Sequence, residues 1–155
     1  MHTSRYLCKY MLYVFMSGGS VMAFSAEVDS GITTIESHHT IEQTMERLQT
    51  SLETHKVRIF AIIDFSGDAA NEGLTLRPEK LLVFGNPKAG TSLMQVAPTT
   101  GLDLPFKALV WEDADHRVWV SYNEPRYIAG RHRMKSEDVA IFSSLLVLIA
   151  QAAQP

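Results

Sequence analysis

Cysteine is almost missing from this chain: of 155 residues only Cys8 carries a thiol. One cysteine excludes an intrachain disulfide framework. Its place ahead of the first apolar stretch is also wrong for lipidation, which uses a cysteine that follows one. Long apolar runs are missing too. None approaches the roughly 20 residues of a membrane-spanning helix, so no stable membrane insertion is expected. Excess positive charge is the third absence. The formal net charge is -3, and Arg5 and Lys9 are the only charged residues among the first 26, so the rest of the chain carries about -5. Such a surface offers no footprint for the phosphates of nucleic acid or for anionic lipid. No internal repeat or low-complexity tract occurs.

What is present is the composition of a globular protein, 46% hydrophobic and 20% charged, at the length of one ordinary domain. The N-terminus has the order of a secretory signal. Arg5 and Lys9 precede the apolar residues 11–16, a Ser-Gly-Gly-Ser interruption follows, and Ala23 and Ser25 suit cleavage after Ser25. The expectation is therefore a signal peptide over residues 1–25, a single domain over 28–152, and a periplasmic or secreted location. A misplaced start upstream of a cytoplasmic protein is the alternative. Removal of the signal would leave no thiolate for catalysis or for a metal centre.

The β-branched stretch 32–36 reads as a strand near a sheet edge. Thr40 followed by Gln43 is a capping box, and Ile41, Met45, Leu48 and Leu52 recur at helical spacing, which predicts a helix over 41–54. The nearly continuous apolar run 57–64 predicts a strand, more central than peripheral. A short helix is expected over 67–72 with Ser66 as its cap, then a strand over 80–84, then a short helix capped by Thr91 and ending near Pro98. Residues 106–111 and 117–122 alternate as a hairpin pair around a polar connection. In the second of these strands Val118, Val120 and Tyr122 share one face, so the side carrying Trp119 needs its own cover. A final helix capped by Ser136 is apolar nearly all round from Val139 to Ile149. That circumference needs cover on several sides. A homodimer with Phe142, Leu146 and Ile149 at its interface supplies it, and burial inside the monomer is the alternative. The order of elements predicts an α+β fold with a small mixed or antiparallel sheet covered by helices.

The run Leu-Arg-Pro-Glu-Lys-Leu-Leu-Val-Phe-Gly-Asn-Pro-Lys-Ala-Gly-Thr-Ser-Leu-Met at 76–94 closely resembles the DUF302 family, as do 101–113 and 118–123. The resemblance covers nearly all of the expected mature chain. It implies a compact α+β fold, often dimeric, in a family without an assigned biochemical role. It also implies a histidine after the aspartate matching Asp64. This chain has Phe65 there, so no role tied to that imidazole carries over.

Candidate chemistry is sparse. The glycines, Lys88 and Thr91 of residues 85–91 have the order of a phosphate cradle but not the Gly-Lys-Ser/Thr ending of a nucleotide loop, and Pro87 removes an amide donor. A small-anion site at Lys88 and Thr91 is one reading and a structural turn is the other. Asp64 is a ligand candidate beside them, although a helix-capping role is its plainer reading. Trp111 and Tyr122 are read as core or interface rings, with an aromatic wall of a pocket as the functional alternative. Asp64 or Glu72 supports only a weak case for acid/base catalysis. The histidines lie in separate elements without metal-ligand spacing, and no serine has a nucleophile-elbow context, so no metal and no cofactor are expected. The function expected is a non-catalytic homodimer of the cell envelope that binds a small ligand, such as an anion, or an envelope protein. A structural or protein-interaction dimer without a small ligand is the alternative.

Overall fold

The computed structural model describes residues 30–155. The expected signal peptide, with Cys8, lies outside the described residues. In chain order the elements are β1 (Ile32–Ser37), α1 (Ile41–Thr54), β2 (Arg58–Asp64), α2 (Phe65–Asn71), β3 (Glu79–Gly85) and α3 (Pro87–Val96). A 3-10 turn at Pro98–Leu102 leads to β4 (Phe106–Glu112), β5 (Val118–Asn123), α4 (Pro125–Arg131) and α5 (Ser136–Val139). A second 3-10 turn at Ala140–Phe142 precedes α6 (Ser143–Ala153).

All five strands form one antiparallel sheet of order β1-β5-β4-β3-β2. The chain enters at one edge, and α1 carries it across to the other. It then walks back strand by strand until β5 closes on β1. The protein is an α+β fold in which α1 spans the sheet between its two edges. Thr40 starts α1 through the predicted capping box, its side chain accepting from the Gln43 amide. The stripe of Ile41, Met45, Leu48 and Leu52 is buried together with Thr44, whose hydroxyl meets that of Ser37 at 2.7 Å. A buried hydroxyl pair of this kind leaves neither group unsatisfied.

The inner face of the sheet brings Leu82, Phe84, Phe106, Ala108, Val110, Val118 and Val120 against α1 and α6 in one core cluster. Helices α3 and α4 add Leu93, Ile128 and Ala129 to it. The carboxyl end of α6 is fastened as well. The Arg47 guanidinium donates to the carbonyls of Ala152 and Gln154, and the His38 amide donates to that of Ala153. These donors satisfy carbonyls that a helix end leaves without intrahelical partners.

Several expectations are corrected. The run 57–64 does form a strand, but β2 lies at the sheet edge and pairs only with β3. A register irregularity between Ile59 and Ala61 leaves Phe60 43% exposed, so part of this apolar run serves the surface and not a central position. The helix expected from Thr91 begins at Pro87 instead, capped by Asn86. Proline is well suited to the first helical turn, where its missing amide costs nothing. Helix α2 is capped by Asp64, with Ser66 donating its hydroxyl to that carboxylate. The basic segment after Pro125 folds as α4, and the single final helix is interrupted at Ala140–Phe142.

The terminal segment shows where its apolar circumference goes. Phe142 is 4% exposed against the Phe106 ring, Ile149 is fully buried, and Leu146 is partly buried against the same core. The cover that a second copy was expected to supply here comes from α1 and the sheet of the same chain. Phe142, Leu146 and Ile149 therefore do not form an exposed surface.

Candidate functional site

β3 ends at Gly85, and Asn86 turns the chain directly into α3. The Asn86 side-chain oxygen accepts the amides of Lys88 and Ala89 at 2.9 and 3.3 Å, and the Asn86 carbonyl accepts that of Gly90. This turn and the first turns of α3 form one wall of a cavity of about 330 Å3, to which Pro87, Gly90, Thr91 and Met94 contribute. Leu104 and Pro105, joined by a cis peptide bond, stand opposite. Phe106 and Phe142, with ring centroids 4.5 Å apart, line it from the core side, and Phe60 on the bulged edge strand completes it. The surface offered is mainly hydrocarbon and aromatic, with the Thr91 hydroxyl among its few polar groups. Volume and lining match those of small-molecule sites.

The residues singled out from sequence are not brought together here. Of the five, only Thr91 lines this cavity. Lys88 lies on the other side of α3, in a surface depression with Ser92 and Asp138. Asp64 stands at the far end of β2, where its carboxylate accepts from the Ser66 hydroxyl and the Gly67 amide and faces Lys80 at 3.5 Å. The Ser66 and Gly67 hydrogen bonds hold its pKa below the ordinary value, assisted by the Lys80 charge and opposed by burial. A carboxylate so engaged is a helix cap and salt-bridge partner. Glu72 ends the same short helix and is exposed, so the two acids do not face each other across a cavity.

Trp111 lies on the opposite face of the sheet, stacked on Trp119 at 6.3 Å, with its indole N–H donating to Ser121. Tyr122 is turned into the core, where burial first and Glu124 second raise the pKa of its phenol. Asp113 receives the Trp119 indole N–H and the amides of Arg117 and Asp115. Burial pushes its pKa up, but these bonds and the Arg117 charge outweigh that and lower it to about 2. Asp113 is thus the anchor of the hairpin turn.

Sequence reading missed two groupings. The first joins Asp103, His132 and Thr99. His132 Nε2 meets the Asp103 carboxylate at 2.5 Å, its Nδ1 meets the Thr99 hydroxyl at 2.9 Å, and its side chain is 4% exposed. Arg131 reaches the other Asp103 oxygen at 3.2 Å. The cluster ties the 3-10 turn to the end of α4, and none of its members lines the cavity. The second is an open, polar depression of about 650 Å3 between the β1–α1 turn and the β4–β5 hairpin, with His38, His39 and His116 at its border. His116 engages Glu112 at 2.8 Å and His39 engages the Gln154 carbonyl. Among the described residues no group of three His, Cys, Asp or Glu side chains is placed to hold a metal ion. No described helix is long and apolar enough to cross a membrane.

The chain is similar to known proteins in fold and in sequence. The crystal structure of an uncharacterized conserved DUF302 protein from Bacillus stearothermophilus superposes with a TM-score of 0.67 at 18% identity, covering 80% of this chain and 96% of that one. Fluoride-specific ion channel FluC 1 of Brucella suis is 44% identical over 115 residues, 74% of this chain and 45% of the relative. Fluoride-specific ion channel FluC 2 of Brucella melitensis is also 44% identical over 115 residues, covering 43% of that relative. The chain thus spans less than half the length of the curated relatives it matches. Residues 33–151 match the family model described as a domain of unknown function, DUF302, and the chain belongs to the DUF302 family.

Proposed function

We propose that this domain is a non-catalytic binding module that takes a small, mainly apolar molecule in the cavity beside the β3–α3 turn. Support comes from the placement of the family-like run: Gly85, Asn86, Pro87, Gly90 and Thr91 all line that cavity. The anion form of this reading is weaker. Asn86 already occupies the first amides of α3, and Lys88 faces away from the cavity. Gly90 is the position at which to test the site. A Cβ added there would meet nothing closer than Leu104 Cδ1 at 3.8 Å, so Gly90→Leu fills the cavity without displacing backbone. Replacing a helical glycine also favours the helix by up to about 1 kcal/mol. In a thermal-shift series with indole, benzoate and sodium fluoride, indole or benzoate is expected to raise the melting temperature of the wild type. Neither should stabilise Gly90→Leu, whose own melting temperature stays at or above that of the wild type. Stabilisation that survives Gly90→Leu, or none by any apolar probe, would count against the cavity as the site.

A second reading is favoured by the relatives named fluoride-specific ion channels. The domain is then a fluoride-responsive accessory unit that works beside a channel, without forming one from its described helices. In the same series this reading requires stabilisation by sodium fluoride beyond that by sodium chloride at equal ionic strength, with matching line broadening in fluorine NMR.

The N-terminal pattern supports an envelope location. Fractionation with N-terminal mass analysis is expected to find a periplasmic or secreted chain beginning near Ala26. A cytoplasmic chain retaining Arg5 through Ser25 would refute it.

A further inference from the structure

Arg58 opens β2 at the exposed rim of the cavity. In strand register it stands opposite Gly85, and its guanidinium carbon lies 5.1 Å from the centroid of the Phe60 ring; both partners line the cavity. Three cations close to the cavity walls are engaged or turned away. The Lys107 ammonium donates to the carbonyls of Asp103 and Pro105, Arg131 holds the Asp103 carboxylate, and Lys88 faces the depression beyond α3. Arg58 is different. Among the described residues no carboxylate pairs with it, and no charged side chain belongs to the cavity lining. An apolar cavity with an unpaired cation at its rim is complementary to a molecule with an apolar body and an anionic end.

Resting on the reading of this cavity as the binding site, we propose that its ligand is a compact aromatic carboxylate, with the ring inside and the carboxylate on the Arg58 guanidinium. Size sets the body of the ligand. About 330 Å3 is at the lower end for small-molecule sites and suits one ring rather than a long chain. The Phe106 and Phe142 rings on the core side, tilted 51° to each other, offer both an edge and a face to that ring. Charge sets its end. A guanidinium meets a carboxylate with two parallel N–H donors, and the apolar wall beside it removes part of the water that weakens an exposed pair. The anionic group is thus met by Arg58 on β2, not by Lys88 or the first α3 amides, which Asn86 already occupies. Because the guanidinium lies beyond the lining and not in it, an acid with a short spacer reaches it. The fitting probe is 3-phenylpropionate, and 3-phenylpropanamide is its neutral counterpart.

NMR titration of the full chain with these two probes tests the pairing. At low ionic strength the acid should bind the wild type roughly tenfold more tightly than the amide, and added sodium chloride should narrow that gap. Arg58→Met keeps a stem of similar length over the Phe60 ring while removing the charge. It should weaken the acid to the level of the amide and leave the amide unchanged. Arg58→Lys, which restores the charge without the fork, should recover part of the difference. Gly90→Leu should abolish binding of both probes. If the amide binds the wild type as well as the acid does, the carboxylate assignment is overturned while the cavity remains the site. A preference for the acid that survives Arg58→Met, or acid binding that survives Gly90→Leu, overturns the pairing as well. Binding of neither probe removes the cavity reading and this proposal with it. Arg58 is exposed and lies outside the core cluster, so its variants fold, and the comparison of acid with amide needs no variant.

Discussion

Phe106→Ala is expected to destabilise the domain by about 3–5 kcal/mol, the range for deleting a buried phenylalanine ring. Phe106 is 2% exposed, lies on the inner face of β4 and packs against Phe142. Its loss would remove apolar contact from two segments at once, because Phe142 belongs to the turn that precedes α6. The void would merge with the adjacent cavity, which Phe106 also lines, and the surrounding chain has little freedom to close it. In a domain with total stability of about 5–15 kcal/mol, such a loss lowers the melting temperature by roughly 10–20 °C. Urea unfolding followed by circular dichroism measures it. A cost under about 1 kcal/mol would show that Phe106 is not a core residue.

Gly31→Ala is the second large effect, and it acts through the backbone. Gly31 has a φ of +67°, and a Cβ there would lie 2.0 Å from Cγ and 2.6 Å from Cβ of Tyr127. The ring could swing away, but Tyr127 Cβ is carried by α4 and cannot. Its neighbourhood is also held by the Glu124 amide, which donates to the Gly31 carbonyl at 2.7 Å. Strain of the left-handed conformation plus overpacking gives an expected cost of about 2–4 kcal/mol. Combining Gly31→Ala with Tyr127→Gly, which removes the Tyr127 Cβ as well as the ring, separates the two parts. The double variant should recover the steric share relative to Tyr127→Gly alone, leaving roughly 1–2 kcal/mol of backbone strain. If the cost in the Tyr127→Gly background equals that in the wild type, the contact is not its source.

The amphipathic α1, its Thr40 cap and the β4–β5 hairpin were legible from sequence because each depends on spacing over a few residues. Periodicity places Ile41, Met45, Leu48 and Leu52 on one stripe whatever they pack against, and a capping box closes within four residues. The edge position of β2 was not legible in this way. Its apolar run serves the bulged Phe60, the cavity rim and the outer face, and only the pairing of distant strands reveals that division. The start of α3 was misplaced because Asn-Pro reads equally well as the end of a turn and as a helix cap with proline in its first turn.

The candidate site shows the same limit more sharply. Lys88 and Thr91 are three residues apart, yet they face different depressions on two sides of α3, and Asp64 caps a helix elsewhere. The Asp103–His132–Thr99 cluster joins residues about 30 positions apart, for which local pattern contains no signal.

By itself the sequence determined an α+β domain of the DUF302 type, the stripe of α1, the alternation of β4 and β5, and the need to cover an apolar final helix. These follow from short-range periodicity, capping chemistry and a long signature run. Only the tertiary structure decided that the final helix is covered by its own chain, that the signature run lines a cavity with Phe106 and Phe142, and that the tryptophan face of the sheet is left outside the core. Each of those outcomes depends on which strands pair and on which side the crossing helices α1 and α6 fall, and these are contacts between residues far apart in the chain.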